Sequence, residues 1–231
     1  MQINFLFTRQ FILGITSLVA VVTLALWLWY SPTTTLPSLI EGETKSILAG
    51  KIFQQPKPLY PFQLIDHDGK VFDLNRLRGK WSFLFFGYTH CPDVCPMTLV
   101  TYKEIHQQLL KRLKQVTDIQ LIFISVDPQR DTPELLKQYV GYFHPDFIGV
   151  TGTPRALRDF TQPLGIFYRE VERPGEGTYW VEHSGSILLI DPLARLSALF
   201  PAPHHPNDLV AAYLQIREQF QANLPKTGRT E

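Results

Sequence analysis

The chain is 231 residues long and carries 22 Lys and Arg against 21 Asp and Glu, a net charge of +1 at pH 7. That balance excludes the strongly basic surface of a nucleic-acid-binding protein. No internal repeat is present, so a solenoid or propeller is excluded as well.

No charged residue separates Arg9 from Glu41, and residues 11–30 are twenty mostly apolar positions. At about 1.5 Å rise per residue, such a helix spans roughly 30 Å, the hydrocarbon thickness of a bilayer. Leu26-Trp27-Leu28-Trp29-Tyr30 closes the run with aromatic residues of the kind that sit at a membrane interface. The pattern predicts an uncleaved transmembrane anchor over 11–30. The rival, a cleaved signal peptide, usually has a shorter apolar core and a small-residue cleavage site. No cysteine follows the run to accept a lipid. Arg9 before the span and Glu41 and Glu43 after it put residues 1–10 in the cytoplasm and the remainder outside. The first ten residues lack the Arg- and Ser-rich character of a mitochondrial transit peptide. The expected setting is a bacterial inner (cytoplasmic) membrane, crossed once, with the C-terminal domain in the periplasm.

Residues 31–58 are rich in Pro, Ser and Thr and read as a linker. Residues 59–224 are long enough for one well-buried domain, and 225–231 read as a flexible tail. Within the domain, 62–65 and 70–73 flank Asp68-Gly69, a hairpin signal. The continuous apolar run 81–86 predicts a strand buried on both faces, as does 119–126. Helical periodicity covers 96–115, with Leu99, Tyr102, Ile105, Leu109 and Leu113 on one side. Thr132 before Pro133 and Thr153 before Pro154 announce two helix starts. Residues 147–150 form a short strand, 186–190 and 193–200 a strand pair, and 207–221 a last amphipathic helix. Strands alternating with helices predict an α/β sandwich around a mixed sheet.

Both cysteines of the chain lie in Gly87-Tyr88-Thr89-His90-Cys91-Pro92-Asp93-Val94-Cys95-Pro96. Such a pair can form a reversible disulfide, hold a soft metal, or do both. Proline disfavours α conformation in the residue before it. Cys91 is therefore expected in the loop leaving strand 81–86, with Cys95 just ahead of a helix opened by Pro96, where the helix dipole favours a thiolate. The alternative is two buried structural thiols or a structural disulfide, and a disulfide closing so small a loop would stabilise little. Two thiolates leave a metal site incomplete. Of the seven histidines, His67, His106, His144, His204 and His205 read as surface residues, and His90 as a group behind the ligands. His183 leads into the core strand 186–190. From position alone it reads as structural.

Gly87–Pro96 resembles the signature loop of the Sco (SenC) family. Ser125-Val126-Asp127-Pro128-Gln129-Arg130-Asp131-Thr132-Pro133 and Glu182-His183-Ser184-Gly185 match the same family, in the same order. The resemblance runs from about residue 62 to 220. It implies a thioredoxin-like fold and a copper site, for Cu(I) and Cu(II), made of Cys91, Cys95 and His183. It further implies a membrane-anchored metallochaperone that helps assemble the binuclear copper site in subunit II of cytochrome c oxidase, supplied by a periplasmic copper donor and a thiol reductant. Thiolates select Cu(I), and an imidazole completes a site that also holds Cu(II). The alternatives are a dedicated thiol–disulfide reductase using Cys91 and Cys95 as its catalytic pair, and a redox or copper sensor. The wider cysteine spacing and the absence of a proline from 178–186 argue against a general thioredoxin. Asp127 and Asp131 read as turn and helix-cap residues rather than participants in copper transfer, and Met97 as a packing residue.

Overall fold

The computed structural model describes residues 20–27, 29–30, 50–113, 115–172 and 179–224. The chain divides into two units, Met1–Glu43 and Thr44–Glu231. In the first, residues 20–27 and 29–30 are helical. Among the described residues no helix is long and apolar enough to cross a membrane. Much of the expected anchor over 11–30, most of the linker and the tail 225–231 lie outside them.

The second unit begins with a strand where a linker was expected. Residues 51–58, expected to be linker, form strand β1 (Lys51–Pro58), which pairs antiparallel with the strand Arg195–Phe200 and slips register between Ile52 and Lys57. Pro56 and Pro58 hid it, since proline suggests linker. At a sheet edge proline is tolerated because one side of the strand needs no donors. The hairpin around Asp68-Gly69 follows as β2 (Gln63–Asp66) and β3 (Val71–Asp73), then a one-turn helix α1 (Leu74–Leu77) capped by Asp73.

Next come β4 (Trp81–Gly87), α2 (Val94–Arg112), β5 (Ile119–Ser125), α3 (Pro133–Phe143), β6 (Ile148–Thr151) and α4 (Pro154–Thr161). Thr132 and Thr153 cap α3 and α4 as expected, accepting from the Leu135 and Ala156 N–H groups. An antiparallel pair, β7 (Tyr168–Glu172) and β8 (Tyr179–His183), stands apart as its own two-stranded sheet. β9 (Ile187–Ile190), β10 (Arg195–Phe200) and α5 (Pro206–Asn223) complete the chain.

The main sheet has the order β1-β10-β9-β4-β5-β6-β2-β3. β4, β5 and β6 are parallel, and β9 joins β4 antiparallel. Every residue of β4 is buried, which requires cover on both faces because side chains alternate along a strand. Trp81 and Phe83 pack against Tyr213 of α5, with ring centroids 5.4 Å apart in each case, whereas Phe86 meets Phe160 of α4 at 6.1 Å. Phe85 continues the Trp81–Phe83 face to the carboxyl end of the sheet and there meets the rings of His183 and His204. The mixed-sheet, thioredoxin-like sandwich is the one expected. It sets β4 and β5 side by side with their carboxyl ends together, so the loops after Gly87 and Ser125 share one rim.

Candidate metal centre

β4 ends at Gly87 and the chain turns through Tyr88 to Pro92. The turn is closed by the Cys91 N–H donating to the Tyr88 carbonyl at 3.2 Å. α2 then starts at Val94, two residues earlier than expected, so Cys95 sits inside its first turn rather than before it. Pro96 costs nothing there, because the first N–H groups of a helix have no intrahelical acceptor. Cys95 is fully buried and Cys91 half-buried; both are free thiols.

His183 arrives from the far side of the chain. It is the last residue of β8 rather than a loop residue, and its Nε2 lies 3.6 Å from Cys95 Sγ. The ligand atoms of Cys91, Cys95 and His183 all fall within 4.8 Å of one another. The imidazole is wedged between aromatic edges, with Phe85 at 6.0 Å and Tyr88 at 5.9 Å, both near-perpendicular.

The two sulfurs divide their protons unequally. The Cys95 thiol hydrogen-bonds to Cys91 and, helped by His183 and by backbone groups, holds the Cys91 thiol down at about 4. Burial, followed by the adjacent Cys91, pushes the Cys95 thiol up. The resting pair is therefore a thiolate at the half-exposed position and a thiol at the buried one, sharing a single proton.

Asp131 and Asp127, both buried, brace the rim. Asp131 accepts from the Thr89 N–H at 2.9 Å, the Thr89 hydroxyl at 2.6 Å and the Ser125 hydroxyl at 2.6 Å. It thereby ties the start of the cysteine loop to the end of β5. Asp127 accepts from Arg130 Nε and from the Tyr179 hydroxyl at 2.8 Å. Arg130 also donates to the Tyr179 carbonyl at 3.0 Å, and its guanidinium lies 3.8 Å from the centre of the Tyr179 ring. Tyr179 opens β8, so this cluster fastens the strand that carries His183. Both carboxylates hold loops in place, beyond the turn and cap roles expected of them.

The remaining sequence candidates sort clearly. His90 is exposed and touches the Thr89–Asp131 network, with Nδ1 3.0 Å from Thr89 Oγ1. Met97 is 62% exposed, not packed. His67 Nδ1 accepts the Gly149 N–H at 3.0 Å and serves the β2–β6 junction. His204, expected at the surface, is partly buried on Phe85 beside Thr98 Oγ1. Sequence reasoning missed Gly87, Arg130 and Tyr179. A Cβ on Gly87 would lie 2.6 Å from Cys95 Sγ. A glycine closing a core strand just before a cysteine loop was the available signal for such a close approach.

The donor set fits a soft or borderline metal. Two sulfurs suit a monovalent ion, and the added nitrogen suits a divalent one. Comparison with known proteins agrees with this geometry. The SCO1/SenC family model matches residues 53–217. An SCO2-like protein of Rickettsia prowazekii is 42% identical over 132 residues, covering 57% of this chain and 63% of that protein. The chain thus spans a little under two thirds of that relative. The crystal structure of Arabidopsis thaliana ScoI with copper bound is 33% identical, with a TM-score of 0.65, covering 70% of this chain and 98% of that one. The structure of Bradyrhizobium japonicum ScoI with copper bound is 34% identical, with a TM-score of 0.61, covering 69% and 99%. On the matched length, the order of its motifs and its fold, this chain belongs to the SCO1/SenC family.

Proposed function

We propose that this protein is a copper-binding assembly factor that takes copper at Cys91, Cys95 and His183 and acts on the binuclear copper site in subunit II of cytochrome c oxidase. The convergence of two sulfurs and one imidazole nitrogen within 4.8 Å carries the reading. The family's copper-bound structures support the metal, and membership of the family supports the oxidase as target. The 11–30 segment anchors the domain in the inner membrane and residues beyond it face the periplasm; the charge distribution around the segment supports this orientation.

The residues prepare the site for cargo. Cys91 presents a thiolate without prior deprotonation, and Cys95 gives up its proton as the metal arrives. Cu(I) is held by the two sulfurs, and Cu(II) draws in the His183 imidazole. The rim is partly open at Cys91, so a partner's ligands can approach from that side and exchange with the sulfurs one at a time.

A second reading, thiol–disulfide reduction, is favoured by the unequal thiols. The Cys91 thiolate would attack a sulfur of a target disulfide, forming a mixed disulfide and releasing one target thiolate. Cys95, its proton passed to the His183 imidazole 3.6 Å away, would attack Cys91 Sγ and release the second. Two electrons pass from the pair to the target.

Titration of the reduced and the oxidised protein with Cu(I) tests the first reading. One copper per reduced chain and none on the disulfide form supports it. Stoichiometric copper on the disulfide form contradicts it. Accessibility of a tag placed after Glu231 from outside the inner membrane tests the orientation, and cytoplasmic accessibility would overturn it.

A further inference from the structure

A second cluster of ligand-type side chains lies at the other end of the sheet. His106, His144 and Asp146 bring their ligand atoms within 4.8 Å of one another. Cys91 follows the carboxyl end of β4, whereas Asp146 precedes the amino end of β6, and the two strands run parallel through β5. Along α2, His106 lies eleven residues beyond Cys95, about 16 Å at 1.5 Å per residue. The clusters are separate sites.

The second cluster is built by tertiary structure. His106 comes from the middle of α2, and His144 is the C-cap of α3, its N–H bonded to the Val140 carbonyl. A tight turn joins His144 to β6. The Phe147 N–H donates to the His144 carbonyl at 3.2 Å, and the Asp146 N–H donates to His144 Nδ1 at 3.2 Å. The turn sets Asp146 Oδ2 3.9 Å from the same nitrogen. The two imidazole centroids are 4.5 Å apart, and buried Phe147 backs the His144 ring at 5.2 Å. Burial lowers the His106 pKa, and the adjacent His144 acts in the same direction.

We infer that His106, His144 and Asp146 form a second metal site, for a borderline divalent cation such as Zn(II) or Cu(II), joining α2 to the α3–β6 turn. Two nitrogens and one oxygen suit those ions rather than Cu(I), which prefers sulfur. Three protein ligands leave a coordination position open to water. Coordination through His144 Nδ1 displaces the long bond from the Asp146 N–H, which water can then satisfy, because Asp146 is 76% exposed. The bound ion adds a clamp between two elements that the His106–His144 ring contact already joins, and so stabilises the domain by mass action.

The test uses the untagged full-length chain carrying Cys91→Ser and Cys95→Ser, which removes the sulfur site. Zn(II) is titrated calorimetrically and thermal unfolding is followed with and without the ion. The expected result is one Zn(II) per chain and a raised Tm. Asp146→Asn, at an exposed position that does not threaten folding, should weaken binding by about tenfold or more. His106→Ala should abolish both binding and the Tm increase. His67→Ala should change neither, because its Nδ1 is committed to the Gly149 N–H and lies outside the ligand set. No stoichiometric Zn(II) in the double-serine protein would overturn the inference, as would binding that survives both Asp146→Asn and His106→Ala. Neither result bears on copper at Cys91 and Cys95, which the titration does not involve.

Discussion

Gly87 and Cys95 are packed so closely that a single methyl group on Gly87 would lie 2.6 Å from the Cys95 sulfur and 3.0 Å from the Phe123 ring. The last residue of β4 thus determines how deep the buried sulfur sits. Gly87→Ala must push α2 outward or tilt Cys95. Overpacking of this kind costs about 1–3 kcal/mol. The variant should remain folded with a lowered Tm and bind copper more weakly, and unaltered copper affinity would show that the close approach is incidental.

Asp131 should matter to stability and to the site together. It accepts three hydrogen bonds from Thr89 and Ser125 while fully buried. Asp131→Ala strands those donors and should cost about 2–4 kcal/mol, read from denaturant unfolding. Thr89→Ala removes one of the three and should cost less, about 1 kcal/mol. Equal losses from the two variants would contradict the assigned network.

Tyr179 acts on copper only through His183. Tyr179→Phe deletes the bond to Asp127 and keeps the ring on which Arg130 stacks. Loss of one such bond costs about 1 kcal/mol. Cu(II) affinity should fall severalfold as β8 loosens, while Cu(I), held by the two thiolates, is hardly changed. A larger loss for Cu(I) than for Cu(II) would contradict this division of labour.

The unequal thiols give a pH signature. The Cys91 thiol is held down at about 4, so it is already a thiolate across pH 5–8. Its alkylation by iodoacetamide in the reduced, metal-free protein should be nearly flat over that range and fall only near pH 4. Cys95, pushed up by burial, should resist modification. Copper loading near pH 7 should release about one proton per metal rather than two. An alkylation rate rising about tenfold per pH unit between 6 and 8 would mark an ordinary thiol and contradict the shared proton.

What the sequence disclosed follows from what each feature depends on. The Thr132 and Thr153 caps with their N1 prolines were legible because capping is local. β4 and β5 were legible because burial on both faces makes an unbroken apolar run. β1 was not, since an edge strand needs neither an apolar face nor a full set of donors, and KIFQQPKP contains two prolines. β7 was missed because its residues are largely exposed and charged, and β8 because only Val181 of its five residues is buried; Arg169 pairs with Glu182 across the two strands at the surface. At the site, Cys91 and Cys95 announced themselves by spacing. His183 came only with the motif order, since proximity across 88 positions is a property of the sheet. The Gly87 contact had only the glycine itself as its signal, and the Arg130–Tyr179 stacking is a distance that no residue pattern encodes.

The most direct measurement is a parallel Cu(I) and Cu(II) titration of the wild-type protein and His183→Ala, with circular dichroism to establish that the variant is folded. The account expects a large loss of Cu(II) affinity and of the thiolate-to-copper absorption, a smaller loss for Cu(I), and no change in either for His67→Ala. A folded His183→Ala protein with wild-type Cu(II) absorption and affinity would contradict the account, because Cys91 and Cys95 would then be holding the metal without the imidazole that the fold brings to within 3.6 Å of Cys95.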